Sequence, residues 1–286
     1  MEASRSKSPE ALAAPPRALL VALRRLLRPI VGLLVDHRIT FPLLAGLLKE
    51  IYVDVADREF TLADRPQTTT RVHLLTGVHR KDVKRLREEG ADADVAPQTA
   101  SLGALLVSRW MGEAAYRDSR GRPQPLPRLA SAGGPASFEG LVESVSKDVR
   151  PRAILDEWLR LGVARLDTED RVVLNAHAFV PEKGFGEKAF FFGRNLADHA
   201  AAGVHNLRGE SPTLPDRSVY YDGLSPDSVA ELRELAERLG MDALLSVNER
   251  ALALQRRDAS QPEAVRRMNF GIYFFETQQA DEDEDA

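Results

Sequence analysis

The sequence predicts a mainly α-helical chain with small β elements: a helix-turn-helix, then a winged helix, then a C-terminal α+β domain. Three observations carry this. Residues 68–90 place apolar side chains at helical spacing on both sides of Gly77. Residues 99–177 read as helix, strand, helix, turn, helix, strand, strand, which is the winged-helix order. Residues 178–276 alternate long helical patterns with two short aromatic runs.

Residues 1–16 (MEASRSKSPEALAAPP) are polar and rich in Ala and Pro, and are expected to be disordered. A helix-turn-helix domain follows over 17–92. Its first helix runs from Arg17 to Val35, bent at Pro29. Arg24, Arg25, Arg28 and Pro29 interrupt its apolar run, which argues against a spanning helix and a signal peptide. No membrane partner is expected. The helix is expected to pack in a core, with an amphipathic helix on a membrane surface as the alternative. Thr40 is expected to cap a second helix, with Pro42 in its first turn and Leu43, Leu44, Leu47, Leu48 and Ile51 on its apolar face. A short helix then ends near Leu75, a turn forms at Thr76-Gly77-Val78, and a helix runs from His79 to Glu89, stopped by Gly90.

A helix-turn-helix needs a tight turn and apolar residues that lock its two helices together. Val72 and Leu75 are expected to face Val78, Val83 and Leu86. That leaves His79, Arg80, Lys81, Lys84, Arg85 and Arg87 outward, opposed by Asp82 and the end pair Glu88 and Glu89. Lys and Arg neutralise phosphates, and Arg pairs bidentately with guanine. Thr68, Thr69 and Thr70 open the first helix and could add hydroxyl and backbone contacts to phosphate. These nine residues are the candidate DNA-binding set. His73 stands where such units carry a small residue.

The winged-helix domain is expected over 99–177. Residues 116–127 supply an edge strand limited by their prolines, and helices cover Ser137–Val145 and Pro151–Leu161. Val163–Leu166 and Arg171–Leu174 form the wing. Ile154, Leu155, Trp158 and Leu159 face inward. Asp156 and Glu157, with Asp167, Glu169 and Asp170 at the wing tip, would repel phosphates, so a scaffold or protein-contact role is favoured here. Lys147, Arg150 and Arg152 are candidate secondary backbone contacts.

The C-terminal domain, 178–276, is expected to be mainly helical with a small sheet. A helix covers Lys188–Leu207, and a longer one runs from Pro226 to Arg257 with a break at Gly240. Ser218–Tyr221 and Asn269–Phe275 read as strands. Phe190, Phe191, Phe192, Tyr220, Tyr221, Tyr273, Phe274 and Phe275 are expected to form the domain core. Homodimerisation or effector binding is assigned to this domain. Residues 277–286 carry DEDED at 281–285, a self-repelling acidic tail.

The stretches LLRPIVGLLVDHRITFPLLAGLLKEIYVDVADREF (26–60) and RVHLLTGVHRKDVKRLRE (71–88) resemble an uncharacterised bacterial family, known only as a domain of unknown function. The resemblance extends through 99–177 to GIYFFE at 271–276 and implies no activity. Residues 99–177 also resemble, at the level of fold, the winged-helix domains of bacterial transcription factors.

No enzyme is expected. Zero Cys excludes disulfides, iron–sulfur clusters and Cys nucleophiles, and fits a cytoplasmic location. The six His fall at 37, 73, 79, 177, 199 and 205, with no HExxH, G-x-S-x-G or P-loop beside them. No metal or cofactor is implied, and GFGEKAFFFG (184–193) reads as a linker. The net charge of −4 hides an asymmetry: residues 65–90 hold 7 basic and 3 acidic side chains. The leading expectation is therefore a duplex-DNA-binding transcriptional regulator. The alternative is a protein-interaction adaptor built on winged-helix scaffolds, without DNA binding. The acidic tail is a candidate competitor for the basic face.

Overall fold

Local signals decide where the helices begin and end. In the computed structural model, which describes residues 16–62, 65–89, 98–175 and 184–278, the chain divides into two compact units between Asp94 and Val95. The chain is mainly helical, with one three-stranded antiparallel sheet among the described residues.

The first unit holds α1 (Arg17–Asp36), α2 (Phe41–Glu59), α3 (Thr69–Thr76) and α4 (Arg80–Glu89). Pro42 starts α2 as expected, but the Thr40 hydroxyl makes no capping hydrogen bond. Thr68 does cap α3, accepting the Arg71 N–H at 3.2 Å. Gly77 ends α3 at φ +73°, a left-handed conformation that costs glycine little. Gly90 lies outside the described residues.

The core of this unit is small. Val53 and Ala56 of α2 meet Val72, Val78, Val83 and Leu86. Val72 and Val83 are fully buried, whereas Leu75, expected inside, is 48% exposed. Helix α1, expected to pack in a core, contributes no buried residue. Leu19, Leu20, Leu23, Leu26 and Leu27 stay exposed, and only Ile30, Leu33 and Leu34 toward its end are partly covered.

The second unit takes in both stretches expected as separate domains over 99–177 and 178–276. It begins with α5 (Gln98–Gly112), β1 (Leu126–Pro127), α6 (Ala130–Gly133), α7 (Phe138–Val145), α8 (Pro151–Leu161), β2 (Ala164–Leu166) and β3 (Arg171–Leu174). The sheet order is β1-β3-β2, with Leu126 opposite Val172 and Ala164 opposite Leu174. The edge strand is only two residues long. Pro123, Pro125 and Pro127 remove ladder donors, leaving one isolated bridge, Arg117 to Pro123, before it.

Ser137 is buried and caps α7, accepting from Gly140 N–H at 3.0 Å while donating to Gly134 O at 2.7 Å. Three rings fill the centre. Trp110 lies nearly parallel to Trp158 (centroids 6.3 Å, 14°), and Phe138 meets Trp158 edge-on (5.6 Å, 70°). The Trp110 indole N–H donates to Gln124 O at 3.1 Å, so its polar edge is satisfied.

Two long helices complete the unit, α9 (Phe185–Leu207) and α10 (Pro226–Asp258). Five expectations are corrected here. The segment 184–193 is no linker, because α9 begins at Phe185. Helix α10 runs unbroken through Gly240. That glycine makes room for a neighbour: an added Cβ would collide with the Ile272 side chain. Ser218–Tyr221 and Asn269–Phe275 are not strands and join no ladder. The C-terminal stretch therefore contributes no sheet among the described residues. Its aromatic residues do not form a core either. Tyr220, Tyr221, Tyr273 and Phe275 are all more than 70% exposed.

The C-terminal half of α10 docks on α5. Leu252 is buried over Gly112, and Met241 and Leu245 pack against the aromatic core. Asn248 and Ser108 exchange two hydrogen bonds (2.6 and 2.9 Å), and Arg117 pairs bidentately with Glu249 (2.9 Å twice). Substituting Trp110→Ala removes a fully buried ring and its hydrogen bond. The expected loss is about 3–5 kcal/mol, read from the urea midpoint of the second unit by tryptophan fluorescence of Trp158.

Candidate nucleic-acid interface

The turn between α3 and α4 is held by hydrogen bonds from residues that flank it. Gly77 N–H donates to His73 O at 2.8 Å. The Thr76 hydroxyl donates to Val72 O at 2.7 Å and accepts from Val78 N–H at 3.1 Å. His73 Nδ1 donates to Val78 O at 2.8 Å, so the histidine that departs from the small-residue pattern closes the turn from its side. The His73 and His79 rings meet edge-on at 6.4 Å.

With Val83 and Leu86 buried, helical geometry sends Arg80, Lys81, Lys84 and Arg85 to one solvent-facing arc. Arg80 and Lys81 are exposed at its start. His79 is exposed just before them and accepts the Lys81 N–H at 3.2 Å. Lys84 lies 3.8 Å from Glu88, and Arg85 lies 2.6 Å from Glu89 and 3.9 Å from Asp82. These are exposed intrahelical pairs of small worth, readily exchanged for another anion.

Asp82 borders that arc beside Arg85 and is turned toward α2. It takes a hydrogen bond from Lys49 of α2 at 2.9 Å, and that ammonium holds its carboxyl below the ordinary range. The one acid in the first turn of α4 is thus drawn toward α2. Lys49 carried no sequence signal, since it sits in an apolar run of α2 and its partner is 33 residues away.

Arg87 departs from expectation. It turns inward, where Nε and Nη2 grip the Asp57 carboxylate at 2.8 and 2.5 Å. Nη2 also donates to Gln67 O at 3.0 Å, and Nη1 to Thr69 Oγ1 at 3.4 Å. The Asp57 carboxylate raises the Arg87 guanidinium further above its usual range. Arg87 is therefore a fastener between α4 and α2. Of the three threonines, Thr68 is a helix cap, Thr69 is half-buried beside Arg87, and Thr70 alone is exposed without either duty.

In the second unit, Lys147, Arg150 and Arg152 are exposed, and Arg152 lies 3.9 Å from Asp156. The β2–β3 hairpin presents ion pairs. Arg171 bonds Asp167 at 2.8 Å and Glu169 at 3.1 Å, and Arg128 reaches Asp170 at 3.0 Å. Among the described residues no group of three or more His, Cys, Asp or Glu is placed to hold a metal ion, and no helix is long and apolar enough to cross a membrane.

Arg87 and Lys84 separate by experiment. Arg87→Ala strands Asp57 and is expected to lower the stability of the first unit by about 2 kcal/mol. Lys84→Ala is expected to change it by less than about 0.5 kcal/mol. Thermal melts followed by circular dichroism measure both.

No curated protein and no solved structure matches the chain. A family model does, over residues 16–282. The chain therefore belongs to DUF6502, a family of unknown function.

Proposed function

We propose that this chain binds duplex DNA through α4, as a transcriptional regulator acting in the cytoplasm, with α3, the Gly77 turn and α4 serving as a helix-turn-helix. The carrying observation is the outward arc of Arg80, Lys81, Lys84 and Arg85, with His79 at its head, while the one acid of the first turn is tied to Lys49. Four cations on one helical face suit the phosphate backbone, and arginine suits guanine edges in the major groove. Arg87 leaves the contact set, because its donors are already engaged within the unit.

The element order from α5 to β3, with β1 on the outer side of β3, supports reading that region as a winged helix. In the wing, Arg171 is already paired with Asp167 and Glu169, and Asp170 takes Arg128 from outside the hairpin, which favours a protein-contact or scaffold role for this part. Two copies joined through the C-terminal half of the second unit would present two α4 helices to the half-sites of a palindrome.

Fluorescence anisotropy with duplex DNA tests the reading. Binding is expected to fall with salt at a log–log slope of about −4, as for four or five phosphate contacts. The combined substitution Arg80→Ala, Lys84→Ala and Arg85→Ala is expected to abolish binding while leaving the melting curve in place. Selection from a random DNA pool is expected to enrich a palindrome. Absence of duplex binding at low salt would sink the proposal, and a specific partner in a pull-down would then support the adaptor alternative.

A further inference from the structure

From α9 to residue 278, Leu252 is the only buried side chain. One buried leucine contributes about 2 kcal/mol, whereas ordering backbone costs about 1–2 kcal/mol per residue. Two helices of 23 and 33 residues therefore stand with almost no core of their own. Among the charged positions they show to solvent run apolar stripes. In the N-terminal half of α10, Leu232, Leu235 and Leu239 follow one another at helical spacing and are 38–53% exposed. On α9, Phe185, Phe192 and Leu196 share a face.

This surface is held in shape. Arg267 clasps Asp198 of α9 through two bonds of 2.7 Å, and Asn269 adds a third at 2.9 Å. Ile272 seats on Gly240 of α10, and Glu276 pairs with Arg233. The terminal segment thus spans both helices while leaving Tyr273 and Phe275 outside.

We propose that this face is the interface of a homodimer, its occupant a second copy of the chain, with the α10 helices packed antiparallel about Leu235. This deepens the dimeric part of the functional reading and is tested without DNA, so the two can fail separately. Area supports it. The exposed large apolar side chains between residues 185 and 275 amount to about 2,000 Å² per chain, at 150–250 Å² for a full aromatic ring. That total is spread over α9, α10 and the segments that follow each; covering half of it on each copy would bury about 2,000 Å² in total, the lower end for an obligate dimer. Charge supports it as well. Glu231 and Arg238 flank the leucine stripe on the same side, seven residues apart and exposed. An antiparallel two-fold pairing sets Glu231 of one copy beside Arg238 of the other, twice, with Leu232 facing the second copy's Leu239.

Light scattering on the full chain is expected to give twice the 31.6 kDa chain mass. Because the chain has no Cys, Leu235→Cys supplies a single thiol at the two-fold axis, and mild oxidation is expected to link it into a covalent dimer. Leu232→Glu with Leu235→Glu and Leu239→Glu is expected to weaken dimerisation about 100-fold or more. Should that variant misfold, charge reversal provides a milder probe. Glu231→Arg is expected to weaken the dimer about 10-fold, and adding Arg238→Glu to restore it. A monomer at tens of micromolar, with no cross-link through Cys at 235, overturns the proposal. Partition of such a monomer onto anionic vesicles would overturn it in favour of a lipid-facing surface.

Discussion

The first unit depends on the grip of Arg87 on Asp57. Six small buried side chains are too few to fix the rotation of a ten-residue helix by packing alone. A planar guanidinium engaged at both edges is directional where valine contacts are not. By anchoring the end of α4 to α2, and through Gln67 O to the segment before α3, it decides which side of α4 faces water. The Lys49–Asp82 bond adds a second tie near the start of the helix. Between these two attachments the remaining cations have nowhere to point but outward.

The second unit solves the same problem by volume. Trp110, Phe138 and Trp158 take one side chain each from α5, α7 and α8, so a single ring cluster sets three helices at once. Val172 on the central strand closes the cluster from the sheet side. Leu252 over Gly112 then carries α10 onto this base. The hairpin turns Ala164 and Val172 into the core and ties its tip with ion pairs, which leaves it close to neutral and poorly matched to a polyanion.

Much of this was readable in advance where the signal is local. Thr68, Gly77, Ser137, Pro151 and Gly162 mark helix ends through the conformations of their own neighbours, and each boundary falls where its residue type places it. The basic arc was readable for the same reason, since its spacing lies within one helix. What escaped was nonlocal. The partner of Arg87 is 30 residues away, so the residue looked like one more outward cation. The runs at 218–221 and 269–275 have the composition of strands, but composition supplies no partner edge, and none is provided among the described residues. Gly240 looked like a helix breaker because sequence shows missing side chains, and the neighbour that fills the space is invisible to it.

The imidazole that closes the α3–α4 turn has its tautomer set by the backbone. His73 holds Val78 O through Nδ1, which must therefore carry the hydrogen of the neutral ring. His79 does the reverse: its Nδ1 accepts the Lys81 N–H, so its neutral ring carries the hydrogen on Nε2. Two rings that meet across one turn are thus held in opposite tautomers, each written by the main-chain group it bonds.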